Sequence, residues 1–191
     1  MLTTAEALDN VLAAMPDLPA ESVEALAATG RVLRQAVVAE RDQPPFDRVM
    51  MDGIAIAFAD YRSGTRAFPI GGRQMAGQPA GSLDAGHCLE IMTGAPLPDG
   101  ADCIVPVERI SAEDGLAVIA GDYRAESGQF IHARASDHAI DTELLTPGKR
   151  ISPMDIAIIA SAGLTEIETT RRPVIRVIST GNELVPAGRP I

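Results

Sequence analysis

Four short segments of this chain set a carboxylate or a hydroxyl beside glycine, where the missing Cβ lets backbone approach a ligand closely. The first runs from Pro44-Pro45-Phe46-Asp47 to Met51-Asp52-Gly53, and its Asp52 can offer a carboxylate to a cation from a tight turn. The second is Ile91-Met92-Thr93-Gly94-Ala95-Pro96-Leu97-Pro98-Asp99-Gly100-Ala101-Asp102. It delivers the Thr93 hydroxyl and the Gly94 backbone N–H into a loop stiffened by proline, a setting suited to an oxyanion or phosphate. In the third, Ala133-Arg134-Ala135-Ser136-Asp137, Arg134 and Asp137 can pair with each other or reach a shared site. The fourth, Ser179-Thr180-Gly181-Asn182-Glu183, ends on a hard oxygen donor for Mg²⁺. Taken singly, each also fits an ordinary turn, loop or surface ion pair.

The elements that must position these segments change along the chain. Thr3 and Glu6 have capping-box spacing, and Leu8, Val11, Leu12 and Met15 recur at helical period, so a helix is expected up to Pro16. A second helix is expected over about Glu21–Thr29, before Gly30, and a strand at Ala36–Ala39. From Gln43 to Asp137 short apolar runs alternate with Gly and Pro, the texture of a compact β-rich module. Strands are expected near Ile54–Ala59, Phe68–Ile70, Cys88–Met92, Cys103–Val107 and Leu116–Ala120, with turns at Gly71-Gly72, Asp99-Gly100 and Asp114-Gly115. Ser152-Pro153-Met154-Asp155 reads as the N-cap, N1 proline and N3 acid of a helix that carries Ile156, Ile158 and Ile159 and closes at Gly163. The apolar run Pro173–Ser179 reads as a strand feeding the Thr180-Gly181 loop, the opening of a βαβ unit with a phosphate-sized pocket. Residues 174–191 are thus expected to begin an α/β domain whose remainder lies outside this chain.

Composition narrows the chemistry. Among 191 residues, 16 Lys+Arg stand against 26 Asp+Glu, a formal charge of −10 that argues against a phosphate-backbone partner. A small anionic substrate stays open, because a bound divalent cation inverts the local field. No run of about 18 apolar residues suggests a membrane span, and the N-terminus lacks a basic segment followed by an apolar one, so a cytoplasmic protein is expected. Cys88 and Cys103 have no CxxC spacing and read as free buried thiols. His87, His132 and His138 show no ligand pattern and read as surface or loop residues.

The order and spacing of the four segments carry more than any one of them. PPFD…MDG, IMTGAPLPDGAD, the ASD segment and STGNELVPAG together resemble the N-terminal half of the molybdopterin molybdenumtransferase family, which includes bacterial MoeA and the gephyrin E domain. The resemblance covers essentially the whole chain, and IMTGAPLPDGAD is its most specific part. It implies an enzyme that inserts molybdate into adenylylated molybdopterin with Mg²⁺ and release of AMP. It implies a mixed α and β fold in which residues 1–45 and 139–173 form a discontinuous dimerisation-type domain. A β-rich domain at 46–138 is inserted in it, and 174–191 start the molybdopterin-binding domain. Asp52, Thr93 and Asp137 would be catalytic; Thr93, Gly94, Thr180, Gly181 and Glu183 would bind substrate; Asp52, Asp137 and Glu183 would hold the metal. A homodimer is implied, each site shared between subunits, so that the isolated chain is expected to be inactive.

The chain departs from the family pattern at four positions. Where the family reads SxMDGYA, this chain has Val49 and Ile54 in place of the serine and tyrosine. Ala135 stands for the glycine before the third acid, and Asn182 for the aspartate of TGDEL. These changes suggest an alternative function, a non-catalytic scaffold or dimerisation fragment. An unrelated Mg²⁺-dependent phosphoesterase would want a positioned base that the histidine spacing does not offer.

Overall fold

The computed structural model describes residues 2–181, 183–185 and 187–190. In chain order the elements are α1 (Thr4–Ala13), β1 (Ala20–Glu24), β2 (Val37–Val38), β3 (Arg48–Val49), β4 (Gly53–Ile56), α2 (Phe58–Arg62), β5 (Ala67–Gln74) and β6 (Cys88–Ile91). They continue with β7 (Cys103–Pro106), β8 (Ile110–Glu113), β9 (Leu116–Ile119), β10 (Ile131–His132), β11 (Glu143–Leu145), α3 (Pro153–Ser161) and β12 (Glu166–Thr170). The fold is mixed α and β with strands in the majority. The chain divides into two compact units, one made of Met1–Val37 with Leu145–Ile191 and the other of Val38–Leu144.

The continuous unit is built on a six-stranded sheet in the order β7-β4-β6-β5-β9-β8, antiparallel throughout except for the parallel pair β5–β6. All four residues of β4 are buried, so this strand lies between two apolar layers rather than facing water on one side. Alternation along it sends Ile54 and Ile56 into one layer with Phe68, Cys88, Cys103, Val105, Ala117 and Ile119. Ala55 goes into the other, with Val49, Ile91, Ala95, Ala101 and Ile104. Burial pushes both thiols, Cys88 and Cys103, up to about 11, and both are free and buried, as expected.

Several strand boundaries differ from expectation. The strand expected at Ile54–Ala59 stops at Ile56, because the Asp102 carboxylate accepts from Phe58 N at 2.6 Å and starts α2. Gly71-Gly72 is no turn; it lies inside β5, where the ladder with β6 slips between Ile70 and Arg73. Asp114-Gly115 is the turn expected, with positive φ at both residues (51° and 77°), and it joins β9 to β8, a strand the sequence pattern does not reveal.

In the discontinuous unit, β1 pairs antiparallel with β12, and the helix expected over Glu21–Thr29 is instead this strand followed by a 3₁₀ turn at Ala25–Ala27. Exposed and half-buried residues alternate along β1, and pairing with a distant strand overrides its helical pattern. The helix expected at Ser152 is α3, with the Ser152–Asp155 capping box closed in both directions and Gly163 at φ 77° beyond its end. Its Ile159 is buried, as are Leu33, Ile151 and Ile167 of the same unit. α1 also has its capping box, yet none of its residues is buried, and Leu8, Val11, Leu12 and Met15 are at least 56% exposed. The strand expected at Pro173–Ser179 does not form. Val174, Ile175, Val177 and Ile178 are 75–94% exposed, and no described strand lies beside them to complete a ladder.

Candidate functional site

Asp52 is the residue immediately before β4, and Thr93 follows the end of β6. These strands are neighbours with Gly53 opposite Ile91, so the register brings the two residues together at one end of the sheet. There Thr93 donates twice to the same carboxylate oxygen: its N–H to Asp52 Oδ1 at 2.6 Å and its hydroxyl to the same atom at 2.8 Å. The backbone donor first, then the hydroxyl, lowers the exposed Asp52 carboxyl from its ordinary value. Asp52 is therefore ionised at neutral pH, and its Oδ2 has no partner among the described residues.

This geometry alters the chemistry expected of the loop. With both donors engaged by Asp52, Thr93 has only acceptor oxygen left to present to a ligand, its hydroxyl lone pairs among it. Gly94, at φ 85°, donates its N–H to Val49 O at 2.9 Å. Neither residue offers the free amide that an oxyanion was expected to find. What faces outward at Asp52 and Thr93 is oxygen, which suits a hard cation. Gly53 differs as well. A Cβ there would stand 2.0 Å from the Val105 carbonyl oxygen, so glycine after Asp52 admits a neighbouring strand rather than a ligand.

β3 lies between this loop and β10. Val49 N donates to Ala95 O at 2.9 Å on one side, and on the other Val49 pairs with Ile131 and Arg48 with His132. The result is an open cleft of about 290 Å³ lined by Arg48, Val49, Met50, Thr93, Gly94 and His132. Arg48 donates to His132 Nδ1 at 3.0 Å, and His132 Nε2 is 3.0 Å from Asp137 Oδ1. A guanidinium can only donate, so Nδ1 is the acceptor in this contact, and Nε2 faces Asp137. Arg48 has no carboxylate within salt-bridge distance among the described residues. Thr93 and Gly94 thus line the cleft, with Asp52 bonded to it through Thr93 and Asp137 through His132.

Sequence motifs do not single out Arg48 or His132; His132, expected at a surface or loop position, is half-buried in β10. The two residues are 84 positions apart, and only the pairing of two two-residue strands makes them neighbours. Arg134 and Asp137 do not pair with each other. Arg134 binds Asp42 at 2.6 Å, and its N–H donates to Asp47 Oδ1 at 2.8 Å. Thr180, Gly181 and Glu183 lie in an exposed stretch of the other unit without helix or strand, and Asn182 lies outside the described residues. Among the described residues no three His, Cys, Asp or Glu side chains gather to hold a metal ion. Asp52 and Asp137 belong to the continuous unit and Glu183 to the other.

The family described as "MoeA N-terminal region (domain I and II)" matches residues 2–163. The chain belongs to the MoeA family. A molybdopterin molybdenumtransferase of Synechocystis is 38% identical over 186 residues, which is 97% of this chain and 48% of that protein. Molybdopterin molybdenumtransferase 2 of Mycobacterium tuberculosis is 36% identical over 171 residues, 86% of this chain and 41% of its own length. The crystal structure of the molybdopterin biosynthesis MoeA protein from Pyrococcus horikosii superposes with a TM-score of 0.82 at 27% identity, covering 99% of this chain and 49% of the other. The chain spans about half the length of the curated relatives it matches. No helix among the described residues of this MoeA chain is long and apolar enough to cross a membrane.

Proposed function

We propose that this chain is the MoeA portion that supplies carboxylate and hydroxyl oxygens to molybdenum cofactor biosynthesis, in an enzyme inserting molybdate into adenylylated molybdopterin with release of AMP. The observation that carries this reading is the double donation from Thr93 to Asp52. It keeps a carboxylate ionised beside a hydroxyl whose lone pairs face outward. One ionised carboxylate and one hydroxyl fit Mg²⁺, which is commonly held by one or two carboxylates together with water and substrate phosphates. When bound, the ion would neutralise phosphate charge and polarise the bond to the leaving AMP. The protein's own part is to orient Asp52 through Thr93 and to shape the cleft in which Arg48 meets an anionic substrate. Since this chain gathers no three-ligand cluster among its described residues, further ligands come from substrate, water and the second subunit of a homodimer. The isolated chain is accordingly inactive in this reading.

Manganese tests the assignment without needing turnover. Substoichiometric Mn²⁺ should selectively broaden the amide signals of Asp52, Gly53, Thr93 and Gly94, and Asp52→Asn should abolish that broadening. Equal broadening in wild type and variant would sink the cation reading. Molybdenum insertion by the 191-residue chain alone would sink the claim that it is inactive.

A further inference from the structure

Gln74 ends β5 and is 3% exposed, a buried amide on a strand whose other residues, Phe68 apart, are exposed or half-buried. Both side-chain groups and the backbone carbonyl of Gln74 have definite partners. Its Nε2 donates to Pro96 O at 2.6 Å, its Oε1 accepts from Gly81 N at 2.8 Å, and its backbone carbonyl accepts from Met92 N at 3.3 Å. Met92 and Pro96 flank Thr93-Gly94-Ala95, so one residue grips the loop at both ends. The parallel pairing of β5 with β6, in register at Gln74 and Ile91, brings it there.

The chemistry of the grip is specific to a carboxamide. It must donate with one atom and accept with the other at the reach of two methylenes. Ionised glutamate cannot donate to Pro96, and methionine offers the length without either function. Gly81 is shaped to match, since a Cβ there would stand 3.0 Å from Gln74 Oε1. β3 holds the loop from its other side through Gly94 and Ala95, so the two anchors together fix how far Thr93 projects toward Asp52.

We infer that Gln74 is a positioning residue: its carboxamide clamps the 93–96 loop so that Thr93 delivers both of its donors to Asp52. The inference deepens the proposed function, because it names what sets up the Asp52–Thr93 pair. It needs no ligand to act, and its test uses none.

The test is NMR on the whole 191-residue chain. In wild type the Thr93 amide proton should resonate far downfield and exchange slowly, as a short bond to a carboxylate requires. In Gln74→Met that signal should move upfield, and its exchange should quicken about tenfold more than that of the Ile54 and Ile104 amides in the same sheet. Gln74→Glu keeps the acceptor for Gly81, so Gly81 should stay protected while Thr93 shifts as in the methionine variant. Leu33→Ala, a core change in the other unit, serves as a control for general destabilisation and should leave the Thr93 shift in place. An unchanged Thr93 shift and relative protection in folded Gln74→Met would overturn the inference. If that variant does not fold, the same result in Gln74→Glu would overturn it. Manganese broadening is read separately, so the clamp and the cation reading can fail independently.

Discussion

Gly53→Ala is the sharpest perturbation of the site's framework. β4 runs between β6 and β7, with Gly53 opposite Ile91 on one side and Pro106 on the other. An added Cβ would lie 2.0 Å from Val105 O, 2.9 Å from Val105 C and 3.0 Å from Pro106 C. All three atoms are main chain, so no side-chain rotation relieves the overlap. Ordinary carbon–oxygen contacts begin near 3.3 Å, so the strands must part locally by roughly 1.3 Å. That movement breaks the 2.9 Å bond from Val107 N to Asp52 O. Overpacking of about 1–3 kcal/mol and one lost hydrogen bond of about 1 kcal/mol sum to a loss of roughly 2–4 kcal/mol. Both tyrosines, Tyr61 and Tyr123, lie in the continuous unit and the chain has no tryptophan, so tyrosine fluorescence in urea reports this unit alone. With a slope of about 1–3 kcal/mol/M, the midpoint should fall by on the order of 1 M or more. A shift below about 0.3 M at unchanged slope would refute the reasoning, since the strands would then have room the structure does not show.

Two further variants probe positions away from that contact. Ala135 holds φ 60°, a left-handed conformation costing an L-residue roughly 1–2 kcal/mol. Ala135→Gly should therefore stabilise the continuous unit by about 0.5–1 kcal/mol once the extra freedom of the unfolded chain is deducted, read as a higher urea midpoint; a lower midpoint would contradict the assignment. Asp155 is buried, and Lys149, then the Ser152 N–H and hydroxyl, pull its carboxyl from 3.8 down to about 2. A depressed pKa contributes stability in full above the unfolded value and loses it as pH falls through the folded one. Between pH 4 and 2 the wild type should lose on the order of 1–2 kcal/mol more than Asp155→Asn, allowing for the half-exposed Lys149. Parallel pH profiles by circular dichroism would contradict this.

What the sequence made legible was local. Capping boxes at Thr3 and Ser152, the Asp114-Gly115 turn and most sheet strands follow from short-range patterns, and the structure has them. The misread segments depend on distant partners. β1 looks helical until β12 pairs with it, and Pro173–Ser179 looks like a strand but has no described neighbour. The site divides the same way. Asp52 and Thr93 were nameable from motifs, whereas the direction of the hydrogen bonds between them, which turns the loop from a donor set into an oxygen set, was not. Arg48, His132 and Gln74 carry no motif; register and burial alone single them out.

The split of one unit around the other has a consequence for synthesis on the ribosome. Ser22 of β1 bonds to Glu166 of β12, a partner made 144 positions later. At about 5–20 residues per second, β1 waits roughly 7–30 s for it. During that wait the whole continuous unit emerges and can finish its own sheet. β1 is then an unpaired edge, and its Glu21 and Glu24 are the kind of charge that discourages pairing with a neighbouring nascent chain. Maturation would then run inside out, with the interrupted unit closing last.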